Sequence, residues 1–164
     1  GQFIPAVEKG VRQVLDQGAI AGFPMQDVSV TVYDGKHHPV DSKEIAFVTA
    51  AKKAFQDAVG KARPVLLEPV VSVTITCPDS AMGDVSGDLS SKRAQISGTD
   101  TKPGGMLVIT GKVPLSELNG YQSRLKGITG GQGSFAMEFS HYEPLPMNLQ
   151  QEIVAQHKPK ESEE

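Results

Sequence analysis

From Val70 to Pro144 the spacing of apolar residues switches repeatedly between a period of two and a period near 3.6, and the order of those switches limits the fold more than any other feature. The pattern predicts a strand running to Thr76, a helix from about Asp79 to Lys92 and a strand around Gln95 to Gly98. A turn at KPGG leads to a strand from Met106 to Val113 and a short helix around Leu115 to Lys126. The last strand is SFAMEFSHY, in which Phe135, Met137 and Phe139 share one face. The order βαββαβ closes into a four-stranded antiparallel sheet with both helices on one side, the ferredoxin-like arrangement, so the expected fold class is α+β. Pro69 interrupts the apolar run VLLEPVV; lacking an N–H for a ladder, it predicts a junction between two units near Leu67.

Ahead of that junction the chain reads differently. After Pro5, the residues Val7, Val11, Val14 and Leu15 recur at helical spacing and Gly18 stands where the helix should stop. In DVSVTVYD, Val28, Val30 and Val32 alternate with Ser29, Thr31 and Tyr33, which predicts a strand closed by Asp34 and Gly35. The loop GKHHPV follows. Asp41 or Ser42 is placed to cap a second helix carrying Ile45, Phe47, Val48, Ala51, Ala54, Phe55 and Ala58, with Gly60 and Pro64 ending it. The expected division is residues 1–66, residues 67–147, and residues 148–164 as a short helix with a charged tail.

TGGQG, Thr129 to Gly133, raises the question of a phosphate loop. Such a loop follows a strand and opens a helix, whereas this one leads out of a helix and into a strand, so its glycines serve a turn. There is no GxxxxGK[ST], HExxH or GxSxG, and the single cysteine, Cys77, has no basic neighbour to activate it; no catalytic residue is assigned. Adjacent His37 and His38 in an extended loop tend to point apart, and GDVSGD lacks the alternate-residue ligands of a calcium loop, so no metal is expected. No apolar run approaches the roughly 20 residues that span a bilayer, and a cytoplasmic location with no membrane partner is expected. The net charge of −3 is spread without a basic segment. Any RNA partner must therefore be held by a few placed side chains rather than a broad field.

Several strings go beyond composition: FIPAVEKG, AGFPMQDV, VDSKEIAF, PVLLEPV, MGDVSGDL, VPLSELNGY and GSFAMEFSHYE. In this order they resemble the carboxy-terminal part of elongation factor G, over nearly the whole chain to about His157. The resemblance implies that residues up to about Leu66 correspond to the later part of domain IV, a partial ribosomal-protein-S5-domain-2-like unit, and that Leu67 onward corresponds to domain V. It implies a fragment of a translational GTPase whose GTP and magnesium sit in an upstream domain, with no cofactor in this chain. The implied partners are the ribosome, at the small-subunit decoding region and the large-subunit sarcin–ricin loop, and the transfer RNA and messenger RNA of the A site. The family's tip loop falls on Gly35, Lys36, His37 and His38, with His38 at the position of the tip histidine. Ser116 and Glu117 fall in PLSELNGY, the region carried over as the large-subunit contact, and Lys126 is a further ribosome-contact candidate; Ser116 is also placed to cap the short helix.

The chain departs from the family pattern after GDL, where Ser90, Ser91, Lys92 and Arg93 replace an arginine-rich run and Ala94 replaces glycine, and in LKGITGGQGS, where Lys126, Gly127 and Gln132 replace Arg, Ser and Arg. Lysine lacks the planar fork of arginine. Support of GTP-dependent translocation is the implied function. A paralogue working in ribosome recycling or stress is the alternative these departures raise, and a free-standing ferredoxin-like regulatory or ligand-binding protein is the alternative from another class.

Overall fold

The computed structural model describes residues 1–39 and 43–157. Asp41 and Ser42, read as caps, and the charged tail from Lys158 onward lie outside the described residues. The chain divides into two compact units: Gly1–Val65 together with the segment from Pro146, and Leu66–Leu145.

The first unit is built on two helices, α1 (Ile4–Gln17) and α2 (Glu44–Lys61). Pro5 lies in the first turn of α1, and Gly18 ends it at φ 77°, its N–H donating to the Val14 carbonyl at 2.8 Å. The helices meet at Gly10, where an added Cβ would stand 2.5 Å from the Val48 carbonyl oxygen, so only glycine allows this approach. Val14, Phe55 and Val59 are buried there, with Val11, Leu15, Ala19 and Met25 packed around them. Gly60, expected to end α2, lies inside it; the helix runs on to Lys61 because Ala62 still donates to Ala58 and Val59. Within the stripe expected on α2, Val48, Ala51 and Phe55 are buried, whereas Ile45, Ala54 and Ala58 are exposed. A third helix, α5 (Met147–Gln156), clusters with this unit: Gln150 donates to the Pro64 carbonyl at 3.4 Å, and the His157 ring lies against Gly22.

The strand expected over Val28 to Tyr33 does not form. Those residues take no regular secondary structure and are exposed, and among the described residues the one sheet is β2-β3-β1-β4 of the second unit, so no neighbouring strand completes a ladder here. Alternation reports an extended backbone, but a strand also needs a neighbour.

The second unit has the expected βαββαβ order. Its strands β1 (Leu67–Pro78), β2 (Gln95–Lys102), β3 (Met106–Pro114) and β4 (Ser134–Pro144) form one antiparallel sheet in the order β2-β3-β1-β4. That order, with β1 and β3 central, is the ferredoxin-like sheet. The proline read as an interruption lies within β1. Pairing with β3 begins only at Val70, so at Pro69 the strand has a single neighbour, β4, and the sheet tolerates the missing N–H. Helix α3 (Met82–Ser91) follows a single 3₁₀ turn, Asp79–Ala81. The second helix is two pieces, a 3₁₀ turn at Leu115–Leu118 and α4 (Tyr121–Ile128), because Asn119 is extended and Gly120 takes φ 69° between them. Ser116 caps neither: the residues before the two pieces are Pro114 and Gly120, and neither piece has a side-chain cap bond at its start.

Val71, Val73, Ile75 and Cys77 from β1 meet Val85 and Leu89 of α3, Ile109 and Val113 of β3, and Tyr121 and Leu125 of α4. Each such side chain, fully buried, contributes roughly 1.5–3 kcal/mol. Burial also pushes the Cys77 thiol up from its ordinary value. Of the face predicted on β4, only Phe135 joins this core; Met137 and Phe139 are 54% and 56% exposed because β4 is an edge strand and α4 packs at the Phe135 end.

Candidate nucleic-acid interface

In the first unit, the backbone N–H of Met25 donates to the Leu15 carbonyl at 2.8 Å, which holds the start of the segment against α1. From there to Pro39 every residue is exposed. Gly35, Lys36, His37 and His38 are consecutive on this segment, and just before them the Asp34 carboxylate accepts the Gly35 N–H at 2.8 Å. The two histidines have different surroundings. The ring of Phe3 stacks on Phe47 at 4.1 Å and 8°, and the His37 ring lies 6.1 Å from Phe3, tilted by 48°, so the near end of the loop rests on an aromatic shelf. His38 is exposed one residue further along.

One residue absent from the expected set belongs with it. Tyr33 is 95% exposed, the most exposed large apolar side chain described. An aromatic ring in water is ready to stack on an unpaired base, and with Lys36 and two imidazoles it completes the side-chain types that hold single-stranded RNA. The signal was present in the sequence as a tyrosine on the polar side of the alternation, with Ser29 and Thr31, where no core was available to receive it.

In the second unit the three expected residues part company. Ser116 is exposed on the 3₁₀ turn before α4. Glu117, beside it, is engaged within the unit: Arg93 donates through Nε to its Oε1 at 3.0 Å, and through its two terminal nitrogens to both oxygens of Glu68, at 2.6 and 3.0 Å. The Glu68 side chain is buried, so this is a forked pair inside the unit with Glu117 as its outer arm. These bonds, foremost that to Glu68, raise the already high Arg93 pKa further. Lys126 is exposed on α4, and its carbonyl accepts the Gly131 N–H at 2.8 Å. The TGGQG turn is closed by Thr129, whose hydroxyl donates to Leu125 and accepts from Gly133, both at 2.7 Å. Gly130 and Gly131 take φ 58° and 86°, as a turn out of a helix requires.

No three His, Cys, Asp or Glu side chains converge on a point that would hold a metal ion among the described residues, and no described helix is long and apolar enough to cross a membrane.

Fold and loops together define an α+β chain in which a helical unit carries an exposed polar loop and a ferredoxin-like unit carries an exposed turn. Comparison with known proteins gives the family. Residues 1–63 match the model for elongation factor G, domain IV, and residues 65–153 match that for the elongation factor G C-terminus. Elongation factor G of Aquifex pyrophilus is 45% identical over 155 residues, covering 94% of this chain and 22% of that protein. A crystal structure of a Thermus thermophilus protein superposes with a TM-score of 0.74 at 39% identity, covering 93% of this chain and 23% of that one. The chain belongs to the elongation factor G family, and it spans less than a quarter of the length of these relatives.

Proposed function

We propose that the chain is the ribosome-binding arm of an elongation-factor-G-type translational GTPase of the cytoplasm, supporting movement of transfer RNA and messenger RNA. The observation that carries this reading is the exposed run from Tyr33 to His38. It presents aromatic, cationic and imidazole groups in succession and adds no side chain to the buried core. A chain with a net charge of −3 gains little from phosphate neutralisation at large, and stacking with a few donors is the economical way for it to hold RNA. In this reading Gly35, Lys36, His37 and His38 face the small-subunit decoding region, and Ser116 and Lys126 face the sarcin–ricin loop. Glu117 contributes through its bond to Arg93. GTP and magnesium belong to a domain outside this chain, since the glycine-rich segment here runs from helix to strand and offers no helix start to a phosphate.

The test is a chimera in which this chain replaces the matching segment of the Aquifex pyrophilus factor. Stacking is worth about 1–3 kcal/mol per base, so Tyr33→Ala with His38→Ala should slow translocation by about tenfold or more, while GTP hydrolysis stays within about twofold. Equal translocation rates for variant and parent chimera would remove the loop from the mechanism.

A further inference from the structure

A groove of about 470 Å³ runs between α3 and α4, lined by Gly83, Asp84, Gly87 and Asp88 on one side and Arg124 and Ile128 on the other. Gly83 and Gly87 lie one turn apart inside a ten-residue helix, where glycine is a poor helix former. Nothing within the unit asks for them: a Cβ added at either meets no atom within 4 Å, in contrast to Gly10 and Gly133, where it would collide. They leave a floor bare enough for a second backbone to lie on.

The second observation is Asp88. Its side chain is only 3% exposed; Arg124 Nε donates to Oδ1, while Oδ2 is buried and has no hydrogen-bond partner among the described residues. A buried carboxylate oxygen left short of a donor is costly. Arg124 is 60% exposed and grips one oxygen, so it can swing outward to admit another donor. Asp84 on the rim has no ion pair among the described residues. Two carboxylates against one guanidinium make the groove acidic, which repels a phosphate backbone and attracts a cation.

We propose that this groove docks a basic polypeptide segment of a partner protein, whose backbone lies over Gly83 and Gly87 and whose lysine or arginine donates to Asp84 and Asp88. The bare glycines allow the close approach, and the Asp84 and Asp88 carboxylates supply the acceptors. The proposal does not rest on the RNA-facing reading.

The experiment is an amide-shift titration of the isotope-labelled chain with acetyl-Ala-Arg-Ala-Lys-Ala-amide, alongside the glutamate peptide of the same length and hexauridylate. Saturable shifts at Gly83 and Gly87 are expected with the basic peptide alone. The double substitution Gly83→Ala, Gly87→Ala removes no charge. It should raise the melting midpoint of the second unit by roughly 4 °C or more, while weakening the peptide at least about tenfold. Asp84→Asn should weaken it as well. Absent shifts, affinity unchanged in the glycine variant, groove shifts with hexauridylate, or a lowered melting point would each overturn the proposal, the last by showing that the glycines serve the fold.

Discussion

Arg93→Ala will destabilise the second unit by about 3 kcal/mol, the largest loss expected from any single polar substitution in this chain. Arg93 ties three stretches that are distant in sequence: Glu68 at the start of β1, Glu117 on the turn before α4, and its own position between α3 and β2. Removing it leaves the Glu68 carboxylate in a buried position with no cation, and that stranded charge, rather than the lost attraction, dominates the cost. Arg93 takes φ 57°, a left-handed conformation that its three bonds to Glu68 and Glu117 help to hold. Arg93→Lys keeps the charge but cannot fork to both oxygens of Glu68, so it should recover only part of the loss. Urea unfolding measures both as shifts in midpoint at unchanged slope. A loss below about 1 kcal/mol for the alanine variant would mean that the pair behaves as an exposed surface bridge.

The second large effect is an alkaline loss of stability centred on Tyr121. Its ring is buried against Phe135, edge to face at 5.0 Å, and its hydroxyl has no hydrogen-bond partner among the described residues. Burial first, then the charges of Asp88 and Cys77, push its pKa from 10.0 up to about 12. Because the folded state holds the proton more tightly than the unfolded chain, the associated stability is fully present below pH 10. It is lost as pH rises from 10 to 12, where the unfolded tyrosine ionises and the folded one resists. The shift corresponds to roughly 2–3 kcal/mol. Cys77, also raised by burial, adds a slope of the same sign. Tyr121→Phe isolates the tyrosine: it keeps the ring, removes an unsatisfied hydroxyl, and should match or exceed the parent at pH 7 while showing a shallower decline above pH 10. Parallel pH profiles for the two proteins would refute this assignment.

The parts of the fold that are legible in the sequence are those set by local chemistry and by periodicity against a buried face. Pro5 and Gly18 frame α1, and the alternation in VVSVTITC follows from a strand with one covered side. The features that periodicity misplaces depend on partners elsewhere in space. Val28, Val30 and Val32 alternate as a strand would, but alternation says nothing about a neighbour. Gly60 resembles a terminator, yet the carbonyls of Ala58 and Val59 still find a donor beyond it. Met137 and Phe139 share the face of Phe135 but stand on an edge strand.

The candidate sites divide in the same way. The loop from Gly35 to His38 is visible as a polar insertion, whereas Tyr33 is masked by being counted into a strand. Glu117 looks free in the sequence because its partner Arg93 is 24 residues away and the anchoring Glu68 lies further back still. The deficit at Asp88 is an atomic fact about one oxygen beneath Arg124, which no residue pattern encodes.

Contact between ribosomal RNA and the loop from Tyr33 to His38 is the central claim, and chemical probing of that RNA with the chimeric factor bound reads it directly. Protection of bases in the decoding region is expected, with its loss in the Tyr33→Ala, His38→Ala variant while protection of the sarcin–ricin loop remains. A variant that leaves the decoding-region protections intact, or a parent chimera that produces none there, would contradict it.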